Sequence, residues 1–315
     1  MAGRIASKNG FLEISFAWLF ALIVGAVILF LAIYTTTKVV KTEQTTIDAE
    51  TAKRIGILLN PLETEFETGK TTSIILPSET KIYNGCNNIG IFGRQLIRIS
   101  QKSFGKWTET DIDVGFSNKY LFSEEYAEGK KFYLFSKPFN FPFKVSDVIY
   151  LTSSLRKYCF MSAPDEIKEE ISLLKQDNIL LNECPDSENA VKVCFTSGGT
   201  CDIKINYGAK YVEKGGKIMH FSDDALMYGA IFADSEVYEC QLKRLMQRVE
   251  QLSLLYKDKT ILASKTGCGS AIKSDLLAFS NMAKNFESSA NLDSISATAE
   301  SINEKNEGSS QCRLW

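Results

Sequence analysis

One histidine and two pairs of neighbouring acids are the side chains of this sequence that could act in catalysis. His220 is the only histidine, so an H-E-x-x-H zinc site is excluded and any acyl-transfer triad would depend on this residue. Its place near the end of a predicted strand favours a boundary histidine. Asp111 and Asp113 would share a strand face. Asp223 and Asp224 stand at the start of a predicted helix, and helix capping is the favoured explanation for this second pair. Paired carboxylates can bind calcium or transfer protons, but neither pair has the ligand density of a calcium loop. The sequence therefore predicts no catalytic residue, no metal ligand and no cofactor.

Eight cysteines are spread through the chain, and all of them follow its apolar N-terminal segment. None forms a C-x-x-C pair, which structural zinc sites and thioredoxin-like centres usually need, and an even number in an exported domain favours disulfides. Scattered buried thiols are the alternative. The candidates are Cys86, Cys159, Cys184, Cys194, Cys201, Cys240, Cys268 and Cys312.

Two of the bridges are predicted from position. Cys194 and Cys201 stand on either side of a predicted hairpin turn, which brings them close enough for a bridge if the register is right. Cys268 precedes one predicted helix and Cys312 follows the next. A helical hairpin would therefore bring these two cysteines together and fix the C-terminal tail.

Two further patterns could be read as ligand sites. Gly69-Lys70-Thr71 mimics the end of a phosphate-binding loop, but Thr64 stands where the first glycine belongs, and a strand is predicted where a helix should follow. The segment KPFNFPFK places Phe139, Phe141 and Phe143 on one side of an extended segment. An aromatic ligand groove is one interpretation, and core packing by an edge strand is the favoured one, because prolines disfavour a central strand.

The composition limits the partners. Lysine and arginine number 36 against 38 acidic residues, which gives a net charge of -2. This balance offers no electrostatic case for nucleic acid or for a polybasic membrane patch. Hydrophobic residues make up 44% of the chain, so the part beyond the apolar segment should bury a core.

The elements that would position these side chains follow from periodicity. Short β-rich runs broken by Gly, Asn and Pro predict strands between Thr71 and Tyr150. A strand ending near Phe160, a helix whose apolar stripe begins at Ile167 and a strand at residues 178–184 predict a β-α-β unit with parallel pairing. Without a Gly-rich turn between strand and helix, a nucleotide site has little support.

Hairpins and helices are predicted after this unit. Hairpin turns are expected at residues 197–200 and at Gly215-Gly216. A helix then carries apolar residues at intervals of three and four, and it should lie against the sheet: Leu242, Leu245, Val249, Leu252 and Tyr256. Lys243, Arg244 and Arg248 lie outside this stripe and are expected to face solvent.

The C-terminal region is predicted to be helical. One helix follows Gly269, and a second is expected around residues 295–302. The tail ends in Cys312, Leu314 and Trp315, and a tail of this composition should be fixed to the domain.

The N-terminal segment is long enough to cross a membrane. No residue from Phe16 to Tyr34 is charged, and about 20 apolar residues in a helix rise about 30 Å. Secretory apolar regions are shorter and are followed by a cleavage site, which is missing before Lys38. Basic residues flank the span on both sides, so the positive-inside rule is nearly balanced. The cysteine placement decides the orientation: the N-terminus is expected in the cytoplasm and the bulk of the chain outside. Helical spacing continues beyond the span up to Asn60-Pro61.

The stretch RIASKNGFLEISF resembles the leader of type IV pilin-like precursors. The resemblance covers about 30 residues and implies cleavage on the cytoplasmic side after Gly10, so that Phe11 becomes the first mature residue. The family's glutamate commonly falls at the fifth mature position, which is Ser15 here, whereas Glu13 stands at the third. The resemblance implies an assembly role for Glu13. The whole sequence is similar to uncharacterised single-span archaeal membrane proteins, which implies no activity. A plain uncleaved signal anchor is the alternative.

These patterns together predict an α+β protein: a single N-terminal transmembrane helix, a disulfide-braced mixed-sheet ectodomain and C-terminal helices. The expected boundaries are a cytoplasmic leader at 1–10, the transmembrane helix and its extension at 11–60, the ectodomain at 61–260, and a helical hairpin and tail at 261–315. We expect a non-enzymatic extracytoplasmic structural or interaction protein at the cell membrane. Its expected partners are the lipid bilayer and further copies or other surface proteins. A membrane-tethered enzyme or ligand-binding domain with an acidic or aromatic surface site is the alternative.

Overall fold

The computed structural model of the protein describes residues 16–58, 71–103, 105–107, 113–195, 200–265, 267–268, 272–308 and 312–315. By its contacts the chain divides into two compact units, with the boundary between Ile47 and Asp48. The fold is α+β, as predicted, with an apolar N-terminal helix, two mixed sheets and C-terminal helices.

Helix α1 (Phe16–Leu58) is 43 residues long and continues beyond the apolar segment, as the helical spacing predicts. Its segment Phe16–Val40 has a mean hydropathy of 2.9 and is long and apolar enough to cross a membrane. None of this segment is buried inside the protein. At about 1.5 Å per residue, 25 residues rise about 37 Å, which exceeds a bilayer's hydrocarbon core. Threonines at its end bond back to the helix, with Thr35 Oγ1 donating to Leu31 O at 2.8 Å.

The first sheet holds seven strands in the order β3-β2-β1-β6-β7-β5, with β4 beside β2. Every pairing in it is antiparallel except that of β5 with β7. Its strands are β1 (Thr71–Asn87), β2 (Arg94–Ser103), β3 (Lys106–Trp107), β4 (Val114–Phe116), β5 (Leu121–Phe122), β6 (Tyr126–Asn140) and β7 (Lys144–Ser153).

The first sheet curls on itself around an apolar interior. Leu121 of β5 stands at one end of the strand order, yet its N–H donates to Gln95 Oε1 of β2 at 3.1 Å and its carbonyl accepts from Asn84 Nδ2 of β1 at 3.1 Å. Alternation along β1 and β2 sends every second side chain into this interior. The buried residues that form it are Ile74, Ile82, Ile97, Ile99, Leu121, Ala127, Phe132, Leu134, Ile149 and Leu151.

The second sheet holds six strands in the order β13-β12-β11-β10-β8-β9. The pairings of β8 with β9, β8 with β10 and β10 with β11 are parallel, and the other two are antiparallel. Its strands are β8 (Lys157–Met161), β9 (Ile179–Leu181), β10 (Ala190–Cys194), β11 (Ile203–Asn206), β12 (Tyr211–Lys214) and β13 (Lys217–His220).

The predicted β-α-β unit is confirmed. Helix α2 (Asp165–Leu174) connects the parallel strands β8 and β9, and it buries Ile167, Ile171 and Leu174 on one stripe. Pro164 precedes its first turn, where the missing proline N–H costs no helical hydrogen bond. The hairpin turn at Gly215-Gly216 is also confirmed, because both glycines have positive φ and Lys214 pairs with Lys217.

The hairpin predicted at residues 197–200 is wrong. Strands β10 and β11 run parallel, with Val193 beside Ile203. The reason lies in Asp202, whose N–H donates to Lys192 O at 3.0 Å and whose carboxylate accepts from Lys192 N at 2.8 Å. These two bonds place Asp202 beside Lys192, the middle residue of β10, directly before β11 begins. Such a return is unexpected from sequence, because parallel strands usually need connections of a dozen residues or more.

In the part of the chain that the structure describes, four helices and a short 3₁₀ turn follow the second sheet. Helix α3 (Asp224–Phe232) is buried almost throughout, and α4 (Ser235–Lys265) buries the predicted stripe, including Leu242, Leu245 and Val249. The 3₁₀ turn Ser289–Asn291 separates α5 (Lys273–Lys284) from α6 (Leu292–Gly308). Side chains from all four helices share the largest core cluster with strands of both sheets.

The expectation that Arg244 faces solvent is wrong. Its side chain is fully buried, and its guanidinium donates to Lys119 O at 2.8 Å, Gln241 Oε1 at 2.6 Å and Phe92 O at 3.2 Å. Burial lowers the pKa of Arg244 to about 10. The hairpin of β1 and β2 packs on this side of α4, so the arginine lies between two elements. Arg248, which the sequence also predicts to face solvent, is half-buried and donates to Val145 O at 2.7 Å.

Four disulfides brace the fold, and no cysteine is free. Cys86–Cys240 ties the end of β1 to α4 across 154 residues, and Cys159–Cys184 ties β8 to the segment after β9. The pairs Cys194–Cys201 and Cys268–Cys312 are those expected from position.

The C-terminal tail is fixed to the domain, as predicted. Leu314 is buried, and its N–H donates to Asn306 Oδ1 at 2.8 Å. Trp315 donates from Nε1 to Asn303 Oδ1 at 3.1 Å, and its ring lies 5.1 Å from that of Tyr256.

Candidate interaction surface

Several predicted site residues lie outside the described residues. They are the processing residues Gly10 and Phe11, the assembly residue Glu13, the acid Asp111 and the pair Gly69-Lys70. The roles predicted for these residues remain predictions. Asp113, the described partner of Asp111, is exposed. Thr71 begins β1, so a strand follows the phosphate-loop mimic where a true phosphate loop would have a helix.

Asp223 and Asp224 begin helix α3. Asp223 caps the helix, because its Oδ1 accepts from Leu226 N at 3.0 Å. Burial raises the pKa of Asp223 to about 6, and the charge of Asp224 adds to the rise. Asp224 accepts from the Tyr207 hydroxyl at 2.9 Å, and burial followed by this bond raises the pKa of Tyr207 to about 12. Both carboxylates thus accept hydrogen bonds from structural partners, and these bonds explain why aspartates occupy the two positions.

A second polar cluster lies beside this pair. Lys137 Nζ of β6 lies 2.5 and 2.7 Å from the two carboxylate oxygens of Glu170 on α2. The Tyr228 hydroxyl donates to Glu170 Oε2 at 3.1 Å, and burial raises the pKa of Tyr228. Each charge in the cluster is compensated. Within the described residues, no group of three or more His, Cys, Asp or Glu side chains could hold a metal ion.

The aromatic groove at Phe139, Phe141 and Phe143 is not formed. All three rings are buried, at 0%, 4% and 1% exposure. The Phe139 and Phe141 rings stack at 5.5 Å, and Phe143 stacks on Tyr256 of α4 at 4.6 Å. Core packing, the favoured interpretation, is what the structure shows. The strand β6 can contain a proline here, because its described pairing with β1 ends at Phe135.

His220 lies at the end of β13, in the boundary position that the sequence predicts. Its main-chain N–H donates to Ser289 Oγ at 3.2 Å, and its carbonyl accepts from the Tyr238 hydroxyl at 2.5 Å. The ring lies 6.1 Å from that of Tyr211, and Nδ1 is buried without a hydrogen-bond partner. A histidine without a bonded nucleophile or carboxylate at Nδ1 lacks the orienting partner that a catalytic triad needs.

A polar cleft of about 530 Å³ opens where β6 and β7 meet β8. Its carboxylates are already paired: Glu124 with Arg156 at 3.1 Å, and Asp234 with Lys214 at 3.6 Å. Asp234 Oδ2 also accepts from Glu125 N at 2.8 Å. The cleft therefore offers no uncompensated charge to a ligand among these groups.

The outer face of the curled sheet carries interleaved aromatic and cationic side chains. We call it the cation–aromatic face, and it consists of Lys81, Tyr83, Arg98, Lys102, Trp107 and Tyr126. Its four members on β1 and β2 alternate with the buried isoleucines, so the side-chain period of two directs them away from the apolar interior.

The members of the cation–aromatic face contact one another. Lys81 Nζ lies 4.5 Å from the centre of the Trp107 ring and 5.4 Å from that of Tyr126. The Arg98 guanidinium lies 4.8 Å from the Tyr83 ring, and the Tyr83 and Tyr126 rings are 6.0 Å apart. Each such exposed cation–π contact is worth about 0.5–1 kcal/mol. The contacts hold the rings in place while Tyr126 stays 49% exposed.

Across the residues that the structure describes, the charges of this face leave a positive excess. Lys81 pairs with Glu128 at 3.3 Å and Lys102 with Glu79 at 2.6 Å. Among the described residues, Arg98 has the Tyr83 ring as its partner and no carboxylate within ion-pair distance. Tyr, Trp and Arg are the residue types that dominate the energetics of protein–protein interfaces.

No pattern in the sequence predicts the cation–aromatic face. The alternation of isoleucine with polar residues in the runs KIYNG and RQLIRIS predicts which side chains point away from the core, but not which strands become neighbours. Tyr126 and Trp107 join the face through the β1–β6 and β2–β3 pairings. No local pattern encodes either pairing.

Comparison of the chain with protein-family models, with curated proteins and with solved structures finds no match.

Proposed function

We propose that this chain is a non-enzymatic, membrane-anchored extracytoplasmic protein that acts by binding other proteins. One observation carries the proposal: an apolar helix long enough to span a bilayer precedes a domain whose eight cysteines all pair. Disulfides form and persist in oxidising compartments. The combination supports an anchor at the N-terminus and a domain outside the cytoplasm.

The resemblance of the leader to pilin-like precursors supports a more specific form of this proposal. Cleavage after Gly10 would remove the basic leader and keep the whole span on the mature protein. A freed amino terminus would then be available to pair with Glu13 of a neighbouring copy, because an acid in an apolar environment is costly unless it is paired. In this form the protein is a subunit of a surface assembly.

We propose the cation–aromatic face as the surface of the domain that contacts its protein partner. The partner should present carboxylates, because the face has a positive excess among the described residues, none of which places a carboxylate within ion-pair distance of Arg98.

The topology is tested by labelling intact cells. A membrane-impermeant reductant followed by a membrane-impermeant maleimide should label the cysteines of the full chain, because the four disulfides then lie outside the cytoplasm. Omitting the reductant is the control and should leave the chain unlabelled, since no cysteine is free. Labelling that requires cell lysis would contradict the outward orientation.

A further inference from the structure

The turn between β1 and β2 exposes three large apolar side chains. We call residues 88–93 the apolar loop, and it contains no charged residue. Ile89 is 81% exposed, Ile91 is 66% exposed and Phe92 is 38% exposed. Isoleucine and phenylalanine are among the residues most often buried, so three of them together at one exposed tip indicate a contact with another apolar phase.

The apolar loop is held in one conformation by α4. The disulfide Cys86–Cys240 fixes the strand that enters it. Gln247 Nε2 donates to Asn88 O at 2.8 Å, and Arg244 Nε donates to Phe92 O at 3.2 Å. The loop is therefore already ordered before binding, so little further conformational entropy is lost when it contacts its partner.

Gly93 shows how closely the loop is fitted. Its φ is +55°, and an added Cβ would lie 2.3 Å from Asn87 O. Only glycine allows both this backbone conformation and this close approach. The exposed tip is thus a built feature of the hairpin and not a frayed end.

Its size argues against a protein as the occupant. An aromatic side chain buries roughly 150–250 Å². Two isoleucines and a phenylalanine that is only 38% exposed can therefore bury at most on the order of 500 Å² together. A specific protein interface needs about 800 Å² on each partner. In the hairpin register, the paired residues Gly85 and Leu96 lie between the apolar loop and the cation–aromatic face, so the two are separate surfaces. The loop itself has no Tyr, Trp or Arg. A bilayer sets no minimum area, because each buried CH₂ contributes independently, at about 0.8 kcal/mol.

Three backbone groups of the loop are hydrogen-bonded within the protein, which suits the hydrated interfacial layer of a bilayer. Unpaired peptide groups are costly in lipid. Besides the two carbonyls bound by α4, the Ile89 N–H donates to Asn87 Oδ1 at 2.8 Å. Arg94, the exposed first residue of β2, directly follows the loop and offers a cation for lipid phosphate.

We propose that the apolar loop inserts into the interfacial layer of a phospholipid bilayer. Ile89, Ile91 and Phe92 enter the acyl region, and Arg94 stays at the level of the phosphates. The inference rests on the proposed membrane anchor, which keeps the domain near a bilayer and makes a small contact sufficient, because the second contact is then intramolecular.

The test uses the full chain in vesicles of phosphatidylcholine and phosphatidylglycerol at a ratio of 3:1. A photoreactive benzoylphenylalanine replaces Ile91 in one variant. In the control variant it replaces Ile218 of β13, which is 56% exposed. Illumination should give lipid adducts by mass spectrometry in the Ile91 variant, at about ten times the yield of the control, because burial of one isoleucine favours the contact by at least about tenfold.

Four outcomes decide the inference. A lipid adduct at position 91 that is lost in the Ile89→Asp background supports it. Two results overturn the inference but leave the proposed anchor intact, provided that carbonate washing leaves the chain in the membrane. One is an adduct between two protein chains, and the other is no adduct at position 91. Release of the chain by carbonate overturns the anchor and the inference together. Non-reducing peptide mapping shows that each variant keeps its four disulfides and therefore its fold.

Discussion

Asp223 is a half-buried cap whose charge the fold disfavours. It accepts from Leu226 N and so satisfies one of the first N–H groups of α3. Burial is the main cause of its raised pKa of about 6, with a contribution from Asp224, while the Leu226 bond and the cations Lys137 and Lys210 act in the opposite direction. The residue therefore links the stability of α3 to pH.

The Asp223→Asn variant should be more stable than the wild type at pH 7. The folded pKa of Asp223 lies above its usual 3.8, so its stabilising contribution is complete below pH 3.8 and is lost as pH rises through 6. Asparagine keeps the cap without the charge. We expect a gain of about 1–2 kcal/mol in the free energy of unfolding at pH 7 and almost none at pH 4, with the full shift discounted for partial exposure.

Urea unfolding under oxidising conditions at the two pH values measures this difference. Asp113→Asn changes an exposed aspartate and is the matched control, with no pH-dependent gain expected. A gain of equal size at pH 4 and pH 7 would show that the charge of Asp223 is not its cause.

The contrast between Asp223 and Arg244 shows what single residues reveal before the fold is known. The cap could be predicted because it depends on the next three residues of the chain. The burial of Arg244 could not, because its carbonyl partners at Phe92 and Lys119 lie 152 and 125 residues away. Helical periodicity places Arg244 outside the apolar stripe, which is correct. It cannot show that a hairpin covers that side of the helix.

At the scale of elements, local patterns succeed wherever the pairing is local. The β-α-β unit and the Gly215-Gly216 hairpin follow from adjacent runs of sequence. The β10–β11 connection fails because the same signal, two β-rich runs around glycines, usually predicts a hairpin. The two Asp202 bonds to Lys192 select the parallel return instead. The Cys194–Cys201 bridge forms in either arrangement, so the cysteine spacing alone could not distinguish them.

The cation–aromatic face of the first sheet should control association. Arg98→Ala and Trp107→Ala should each weaken complexes of the full chain by about tenfold or more, because truncated Arg and Trp anchors typically cost at least about 1–2 kcal/mol. The contact should also weaken as salt rises, since it relies on exposed charge. Crosslinking and native electrophoresis of mildly solubilised membranes at two salt concentrations measure both effects.

Arg313→Ala is the matched control for the arginine, because Arg313 is exposed on the C-terminal tail, far along the chain from the face. It should leave the complexes unchanged. Complexes that survive Arg98→Ala, or that respond equally to both arginine variants, would remove the cation–aromatic face from the proposed function.

At the scale of the whole molecule, the cysteines were the most informative signal in the sequence. Their number and their place after the apolar segment predicted disulfides, and all eight cysteines pair. The position-based pairs close loops of 7 and 44 residues. Cys86–Cys240 spans 154 residues and could not be predicted, because it depends on how the first hairpin lies against α4. The same packing of the first hairpin against α4 positions the apolar loop. For this one physical reason, neither the Cys86–Cys240 bridge nor the exposed loop could be predicted from sequence.

The processing of the N-terminus is the last prediction. If the chain is a pilin-like subunit, the mature protein begins at Phe11, and Gly10→Asp leaves a longer form in the membrane. Glu13→Gln should then abolish multimers without preventing membrane insertion, because the glutamine keeps the shape of the side chain but cannot pair as an anion with a neighbour's amino terminus. N-terminal sequencing of the native protein and native electrophoresis of the variants measure the two effects. A native terminus at Met1 or Ala2 would leave a plain signal anchor, in which Gly10 and Glu13 have no role and the domain binds its partners from a single fixed span.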